Sequence, residues 1–265
     1  MFPNLIDFEF IHIRTYGVCM ALGFLLCWNI FERISGRKDL SNLLVAMLLS
    51  GIIGSRIAYV IEHWEFINTP WQIIRIDQGG LMFYGGLILA LTVFLVWCVC
   101  RKENPLAVGD NLATVIPLGH AFGRIGCFFY GCCYGKRSES AWAVSFPRDS
   151  PAWYEQFRAG EIIYGETSSL PVLPTQLFEA FALVIFFAIL FVLRSRVRDK
   201  APGITTGAYL AGYAVIRFAL EYLRGDPRAA VGPFSISQTI SLVMFIIGAA
   251  VISYAATRRS AANGR

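Results

Sequence analysis

The chain has 265 residues, of which 56% are hydrophobic and 15% charged, with 21 Phe and a formal charge of +5. Soluble domains carry about 45–50% apolar and about 25% charged residues. The proportions therefore exclude disorder, collagen and small disulfide scaffolds and describe a polytopic membrane protein. The basic excess clusters in short loops between apolar runs, which positive-inside orientation explains and nucleic-acid binding does not.

A membrane-crossing helix needs roughly 20 mostly apolar residues, fewer where polar groups serve a function. Seven spans are expected in chain order. The first covers Thr15 to Phe31 and the second Leu40 to Ile61, with Arg56 inside it. The third, Gly79 to Cys100, is free of charge, whereas the fourth, Asn111 to Phe129, is interrupted by Pro117, His120 and Arg124. The fifth runs from Gln176 to Leu193, the sixth from Gly203 to Tyr222 and the seventh from Ser235 to Ala256. Backbone groups in lipid must bond within their own segment, so these are helices. The alternation of a membrane barrel is absent. Neither a basic leader nor a small-residue cleavage site frames the first run, so no cleaved signal peptide is expected. The expected fold is an all-α membrane protein, a single polytopic domain over residues 1–265.

Lys and Arg set the orientation. The loops after spans one, three and five and the C-terminal tail hold 12 of them, and the opposite side holds 8. That asymmetry places the N-terminus outside and the C-terminus in the cytoplasm. The one sizeable extramembrane segment, residues 136–173, then forms a small outer-face (periplasmic) cap between spans four and five. Its Trp142, Trp153 and Tyr154 suit the membrane interface. This outer loop, with Tyr154 and Trp153, is expected to gate entry of the lipid or preprolipoprotein.

Ionisable residues inside spans are costly and point to function. With this topology Tyr16, Tyr84 and Glu179 open odd-numbered spans, while Arg56, His120, Arg124, Tyr213, Arg217 and Glu221 lie late in even-numbered ones. All of them fall in the outer half, which implies one outward-facing polar cavity. Tyr213, Arg217 and Glu221 are spaced i, i+4, i+8 and share a helical face. Arg217 and Glu221 either neutralise each other for burial or serve the cavity. The end of span four reads FGRIGCFFYGCCYGKR, with Gly123, Gly126, Gly131 and Gly135 around a single Arg124. Glycine permits close backbone approach, and guanidinium binds phosphate bidentately. The stretch is thus either a phosphate site or a small-residue packing seam. Cys127, Cys132 and Cys133 lie together here. They pack as small hydrophobes, form a disulfide, or bind metal with His120; their spacing matches no standard zinc pattern.

These residues resemble a known family, the prolipoprotein diacylglyceryl transferases of the bacterial inner membrane. The GRIGCFFYG run with its following glycine is similar to that family's signature. IRTYGVCMALGF, GSRIAYV, GGLMFYGG, LPTQLFEA and YAVIRFALEYLRGD agree in order and spacing, so the likeness covers Ile13 to Asp226. It implies seven spans with the N-terminus outside. It also implies transfer of the sn-1,2-diacylglyceryl group of phosphatidylglycerol to the lipobox cysteine of preprolipoproteins, with release of glycerol 1-phosphate. By resemblance, Arg124 binds phosphatidylglycerol, Arg217 and Glu221 are the essential pair of span six, and Tyr16 and Tyr213 are essential tyrosines. Arg56 matches the arginine of span two and Gly135 the closing glycine of the signature.

The chain departs from the family at Tyr84, where well-studied members have histidine, at Cys127 (asparagine) and at Cys132 (glutamate); Leu173 also replaces a histidine. A phenol with a pKa near 10 is a poor base at neutral pH, so Tyr84 is expected to position a head group. His120, one turn before Arg124, is the candidate base, with the lipid phosphate itself as the alternative. Gly123, Gly126, Cys127, Cys132 and Gly135 join Tyr16, Arg56, Tyr213 and Glu221 as expected substrate contacts, and Arg124, Arg217, His120 and Tyr84 as the catalytic set. No metal or organic cofactor is implied. Two other readings stay open: a relative with altered thiol or lipid chemistry, and a non-catalytic lipid transporter or receptor.

Overall fold

Each of the seven apolar runs folds into a helix. The structure, a computed structural model, describes residues 4–8, 11–67, 69–75, 79–197, 201–228 and 230–263. The long helices are α1 (Thr15–Ser35), α2 (Lys38–Glu62), α4 (Phe83–Arg101), α5 (Pro105–Tyr130), α7 (Thr175–Val197), α8 (Ile204–Glu221) and α9 (Ile236–Asn263). Two short helices, α3 (Pro70–Ile74) and α6 (Pro151–Arg158), lie in the connections. Six of the long helices are long and apolar enough to cross a membrane, and α8, 18 residues with Arg217 and Glu221 inside it, is not among them. Side chains such as Leu25, Ile53, Val99, Phe181 and Ile246 stand exposed. Lipid, not water, is the solvent that suits such a surface.

Two features depart from the expectation. The chain is not purely helical: β1 (Asn4–Phe8) pairs antiparallel with β2 (Ile11–Arg14), and β3 (Ala230–Val231) with β4 (Phe234–Ser235). These hairpins are too short for period-two alternation to show against the long apolar runs. Span four is also not weakened by its polar residues. Its helix α5 runs unbroken through Pro117 and is the most buried of the six. Protein surrounds it, and neighbouring side chains satisfy the groups that lipid would penalise.

The described residues fall into two compact units, Met1–Asn29 with Gly109–Arg265, and Ile30–Val108. In the second, α2 packs on α4 across small residues. A Cβ at Gly54 would meet Leu89 Cβ at 2.7 Å, and one at Gly86 would meet the Gly51 carbonyl at 2.7 Å. In a membrane, such seams let backbones approach where no hydrophobic force drives helices together. Arg56 binds the α2–α4 connection here. Its Nε donates to the Ile73 carbonyl at 2.9 Å, Nη1 to those of Gly79 and Gly80 at 3.0 Å, and Nη2 to that of Gln72. Its plane also lies 5.1 Å from the centre of the Tyr59 ring.

In the first unit α8 packs on α9 through Gly207 and Gly248, where a Cβ on Gly207 would meet the Gly248 carbonyl at 2.8 Å. Asp110, buried on α5, caps α8 from outside. Its carboxylate accepts from the Gly203 and Thr206 amides at 2.8 and 2.7 Å and from the Thr206 hydroxyl at 2.8 Å. These are the amides a helix start leaves without partners, and a carboxylate there also meets the positive end of the helix dipole. Next to it, Arg194 Nε donates to Asn111 Oδ1 at 2.9 Å, joining α7 to α5.

Between α5 and α7 the chain folds into an insert with a small core of its own. Tyr134, Phe146, Ala152 and Val172 are buried together, and backbone bridges join Arg137 and Val144 to Val172. Ser150 caps α6 by accepting from the Trp153 amide at 3.2 Å, with Pro151 in the first helical position. Trp153 is fully buried, stacks on Phe157 at 5.2 Å and donates from Nε1 to the Glu166 carbonyl at 3.0 Å. The expectation that Trp153 gates entry is therefore corrected: its indole is the core of the insert, and moving it would leave a cavity and an unpaired N–H. Within the insert, Trp142 is the tryptophan that stands exposed.

Replacing Asp110 by Ala leaves three donors at the start of α8 without this acceptor. The expected loss is about 2 kcal/mol, read as a lowered thermal midpoint in detergent; an unchanged midpoint would show that water replaces the carboxylate there. Arg56→Leu is expected to speed amide exchange across residues 69–75 without altering exchange in α9, and equal exchange in both proteins would remove Arg56 as the clamp of that connection.

Candidate active site

The centre of the first unit is a buried carboxylate between two helices. Glu179, on the second turn of α7, is 2% exposed and faces α5. Its Oε2 lies 3.0 Å from Arg124 Nε, and its Oε1 lies 3.7 Å from His120 Nε2. Because α5 continues through Pro117, His120 and Arg124 share a face one turn apart, and Arg124 Nε donates to His120 Nε2 at 3.2 Å. An imidazole nitrogen that accepts from a guanidinium has its lone pair in the ring plane, so this geometry assigns a neutral His120 with its proton on Nδ1. Both contacts of Arg124 use Nε, and the Tyr213 hydroxyl meets the same guanidinium. Tyr213 also lies 5.3 Å from the His120 ring, centre to centre.

Tyr213 connects this group to the second arginine. On α8, Arg217 Nη2 pairs with Glu221 Oε2 at 2.7 Å and donates to Ser237 Oγ at 2.9 Å, while Tyr213 lies within the field of both arginines. The i, i+4 spacing thus forms the neutralising pair, and it does so without consuming the whole guanidinium. Arg217 Nη1 is buried and has no hydrogen-bond partner among the described residues; Glu179 Oε1 is in the same condition. An unpartnered buried guanidinium nitrogen costs free energy unless an anion meets it. Within the group His120, Arg124, Glu179, Tyr213 and Arg217, the Arg217 Nη1 hydrogens can donate to an acceptor-rich anion.

Glu179 received no role from the sequence, although it counts among the polar residues of the outer half. It is the acid of the LPTQLFEA stretch and sits inside an otherwise apolar run, and that burial was the available signal. Tyr16 borders the site from α1. A Cβ on Gly126 would come within 2.8 Å of the Tyr16 ring, so this glycine makes room for the phenol. Gly123 is looser, with Met20 Sδ 3.3 Å from the same construction. Gly135 serves backbone pairing: its amide donates to the Leu173 carbonyl at 2.8 Å, and a Cβ would collide with Leu173 and Thr175. Arg56 and Tyr84 belong to the second unit. There Arg56 is committed to main-chain carbonyls, and Tyr84, in the first turn of α4, is half-exposed beside Phe83.

The three cysteines gather where α5 ends. Gly131, with φ of 84°, reverses the chain; its amide donates to the Phe128 carbonyl and the Cys132 amide to that of Cys127, each at 3.2 Å. That double bond pattern is a helix-terminating motif in which the residue after the glycine folds back over the last turn. It brings Cys132 onto Cys127. Cys133, itself at φ of 64°, turns into the same spot, and the three Sγ atoms lie within 4.8 Å of one another. All seven cysteines are free thiols. The Cys133 thiol is held below the ordinary thiol range by hydrogen bonds from Cys127 and Cys132, aided by the adjoining Arg224 guanidinium.

Comparison with known proteins identifies the family. The sequence model of the family described as prolipoprotein diacylglyceryl transferase matches residues 3–254. A phosphatidylglycerol–prolipoprotein diacylglyceryl transferase of Pseudoalteromonas translucida is 32% identical over 270 residues, 95% of this chain and 93% of its own. The protein of Clostridium perfringens named as the second such transferase is 32% identical over 243 residues, 89% of this chain and 88% of its own. One of Photobacterium profundum is 31% identical over 267 residues, covering 96% and 92%. With a family match over residues 3–254 and relatives 31–32% identical over most of its length, this chain belongs to the prolipoprotein diacylglyceryl transferase family.

Proposed function

We propose that the chain transfers the sn-1,2-diacylglyceryl group of phosphatidylglycerol to the lipobox cysteine of a prolipoprotein. The thiol sulfur bonds to the glycerol carbon, the carbon–oxygen bond to phosphate breaks, and the electron pair leaves with glycerol 1-phosphate. The observation that carries this reading is the unpartnered Nη1 of buried Arg217 beside the Tyr213–Arg124 contact. Arg124 and Arg217 hold the phosphate and its growing charge, Glu179 and Glu221 orient the two guanidiniums, and Tyr213 donates its O–H to the phosphate between them. Tyr16 borders the lipid head group across Gly126, with Cys127 and Cys132 at its rim. Tyr84 and Arg56 are assigned head-group contacts only through the family likeness.

The topology is part of the proposal. We read α8 as the seventh span, shortened because Arg217 and Glu221 end it in the polar site. The basic loops place the N-terminus outside and the C-terminus in the cytoplasm of a bacterial inner membrane. The insert of residues 136–173 is then a periplasmic cap, and the site opens toward the outer leaflet, where the prolipoprotein cysteine emerges.

The thiol has an ordinary pKa near 8.5 and must lose its proton. We assign His120 as the base. Its Nε2 becomes available when Arg124 turns its N–H from the imidazole to the bound phosphate, so base strength appears only with the lipid in place. The phosphate itself is the alternative acceptor.

A lipobox peptide incubated with phosphatidylglycerol and the purified chain should gain the mass of one diacylglyceryl unit as glycerol 1-phosphate appears. Removing one preorganised donor from a developing anion costs roughly 3–4 kcal/mol. Arg124→Ala should accordingly lose all but about a hundredth of the rate; retention of more than a tenth would remove Arg124 from the phosphate site. His120→Gln is expected to lower kcat/KM at least about 100-fold and to abolish the acid limb of its pH profile. A fall with the limb intact would assign the proton to the lipid phosphate and leave His120 as a positioning residue for Arg124.

A further inference from the structure

The thiol cluster at the end of α5 is a built arrangement that the transfer reaction does not need. Three sulfurs from seven consecutive positions converge because Gly131 reverses the chain and Cys133 takes a left-handed backbone that non-glycine residues rarely adopt. In the terminating motif, the residues that meet are usually apolar; here they are Cys127 and Cys132. Two side chains of α7 pin the loop in that shape: Gln176 Nε2 donates to the Cys132 carbonyl at 2.7 Å, and Thr175 Oγ1 to that of Cys133 at 2.9 Å. Gln176 and Thr175 are themselves buried, so the loop is held from inside the protein.

We infer that Cys127, Cys132 and Cys133 form a three-thiolate site for a soft cation, with Cu(I) the ion that fits it best. A trigonal site with metal–sulfur bonds near 2.3 Å separates its sulfurs by about 4 Å. The observed limit of 4.8 Å for all three pairs needs only a small contraction to reach that. Soft thiolate donors select Cu(I) or Zn(II). Zinc takes a fourth ligand, and since no histidine or carboxylate joins the cluster among the described residues, water would have to complete its tetrahedron. His120, expected from the sequence as a possible partner, is turned to Arg124 and Glu179 instead. Cu(I) is content with three sulfurs.

Binding forms three copper–sulfur bonds and releases to solvent the protons that the thiols still hold. The complex is anionic, and the cation to offset it is already in place. Arg224 lies against the Cys133 sulfur and is itself held by Asp226 through two bonds of 2.8 and 2.7 Å. The site belongs to the same end of α5 as Arg124, and its Cys127 and Cys132 also lie at the rim of the proposed head-group site, while Cys133 has no place in the proposed transfer.

The test uses the full chain in detergent, reduced, metal-free and under nitrogen, titrated with Cu(I) supplied as its acetonitrile complex against a chromophoric Cu(I) chelator. One equivalent should be retained, with a thiolate-to-copper absorption in the ultraviolet. Alkylation followed by mass analysis should then find Cys127, Cys132 and Cys133 protected, a readout that needs no variant to fold. Cys132→Ser and Cys133→Ser should each weaken retention at least about tenfold, and Cys100→Ser should leave it unchanged. Retention undiminished in Cys132→Ser, protection of other cysteines, or loss of all copper to the chelator would overturn the site. So would isolation of the protein with two of the three already joined as a disulfide, since two ligand atoms are then gone.

Discussion

A single carboxylate buried between two helices organises the site. Glu179 is almost wholly removed from solvent, and an ionised carboxylate there is tolerable only where cations and donors surround it. Arg124 supplies that partner from α5 at 3.0 Å. The pairing holds the guanidinium by its Nε edge and directs the rest of it toward Tyr213 and the neighbouring Arg217. Without the acid, the arginine would be a buried charge on a long flexible stem. With it, the arginine has a partner on another helix.

The same logic recurs elsewhere in the first unit, on different residues. Asp110 carries charge into the start of α8, Arg194 reaches Asn111, and Arg217 pairs with Glu221 and Ser237. In lipid the hydrophobic effect does not drive helices together, so van der Waals packing and polar contacts between helices set their arrangement. The seams at Gly54 with Gly86 and at Gly207 with Gly248 supply the packing. The polar side chains supply direction. Strength of the fold and preorganisation of the site therefore come from one kind of interaction, a buried polar group answered by a partner on another element.

Legibility followed distance along the chain. The contacts of His120 with Arg124 and of Arg217 with Glu221 are i, i+4 pairs, and helical geometry alone places them together. The cysteines were legible as neighbours but not as a cluster, since their convergence depends on the backbone at Gly131 and Cys133. Arg56 stood among the polar residues of the outer half, yet four main-chain carbonyls account for its guanidinium. Trp153 looked like an interfacial aromatic because residue type suggests depth; the packing that buries it involves Phe157 and the Glu166 carbonyl. Glu179 had a visible cost, a charge in an apolar run, but nothing local to it named its partner.

Apolar runs and helical spacing determine the long helices, six of them long and apolar enough to cross a membrane, because bonds within a segment are the only way for a lone stretch of backbone to satisfy itself in lipid. Glycine spacing and the family motifs single out the helix ends proposed to carry the chemistry. Tertiary structure alone decided that Glu179 of α7 meets Arg124 of α5, that Asp110 starts α8 and that Tyr213 lies between two arginines. Each of those contacts joins residues on different helices, where the partner of a buried charge is chosen by packing and by the cost of leaving that charge alone, and neither is written in the order of residues along one helix.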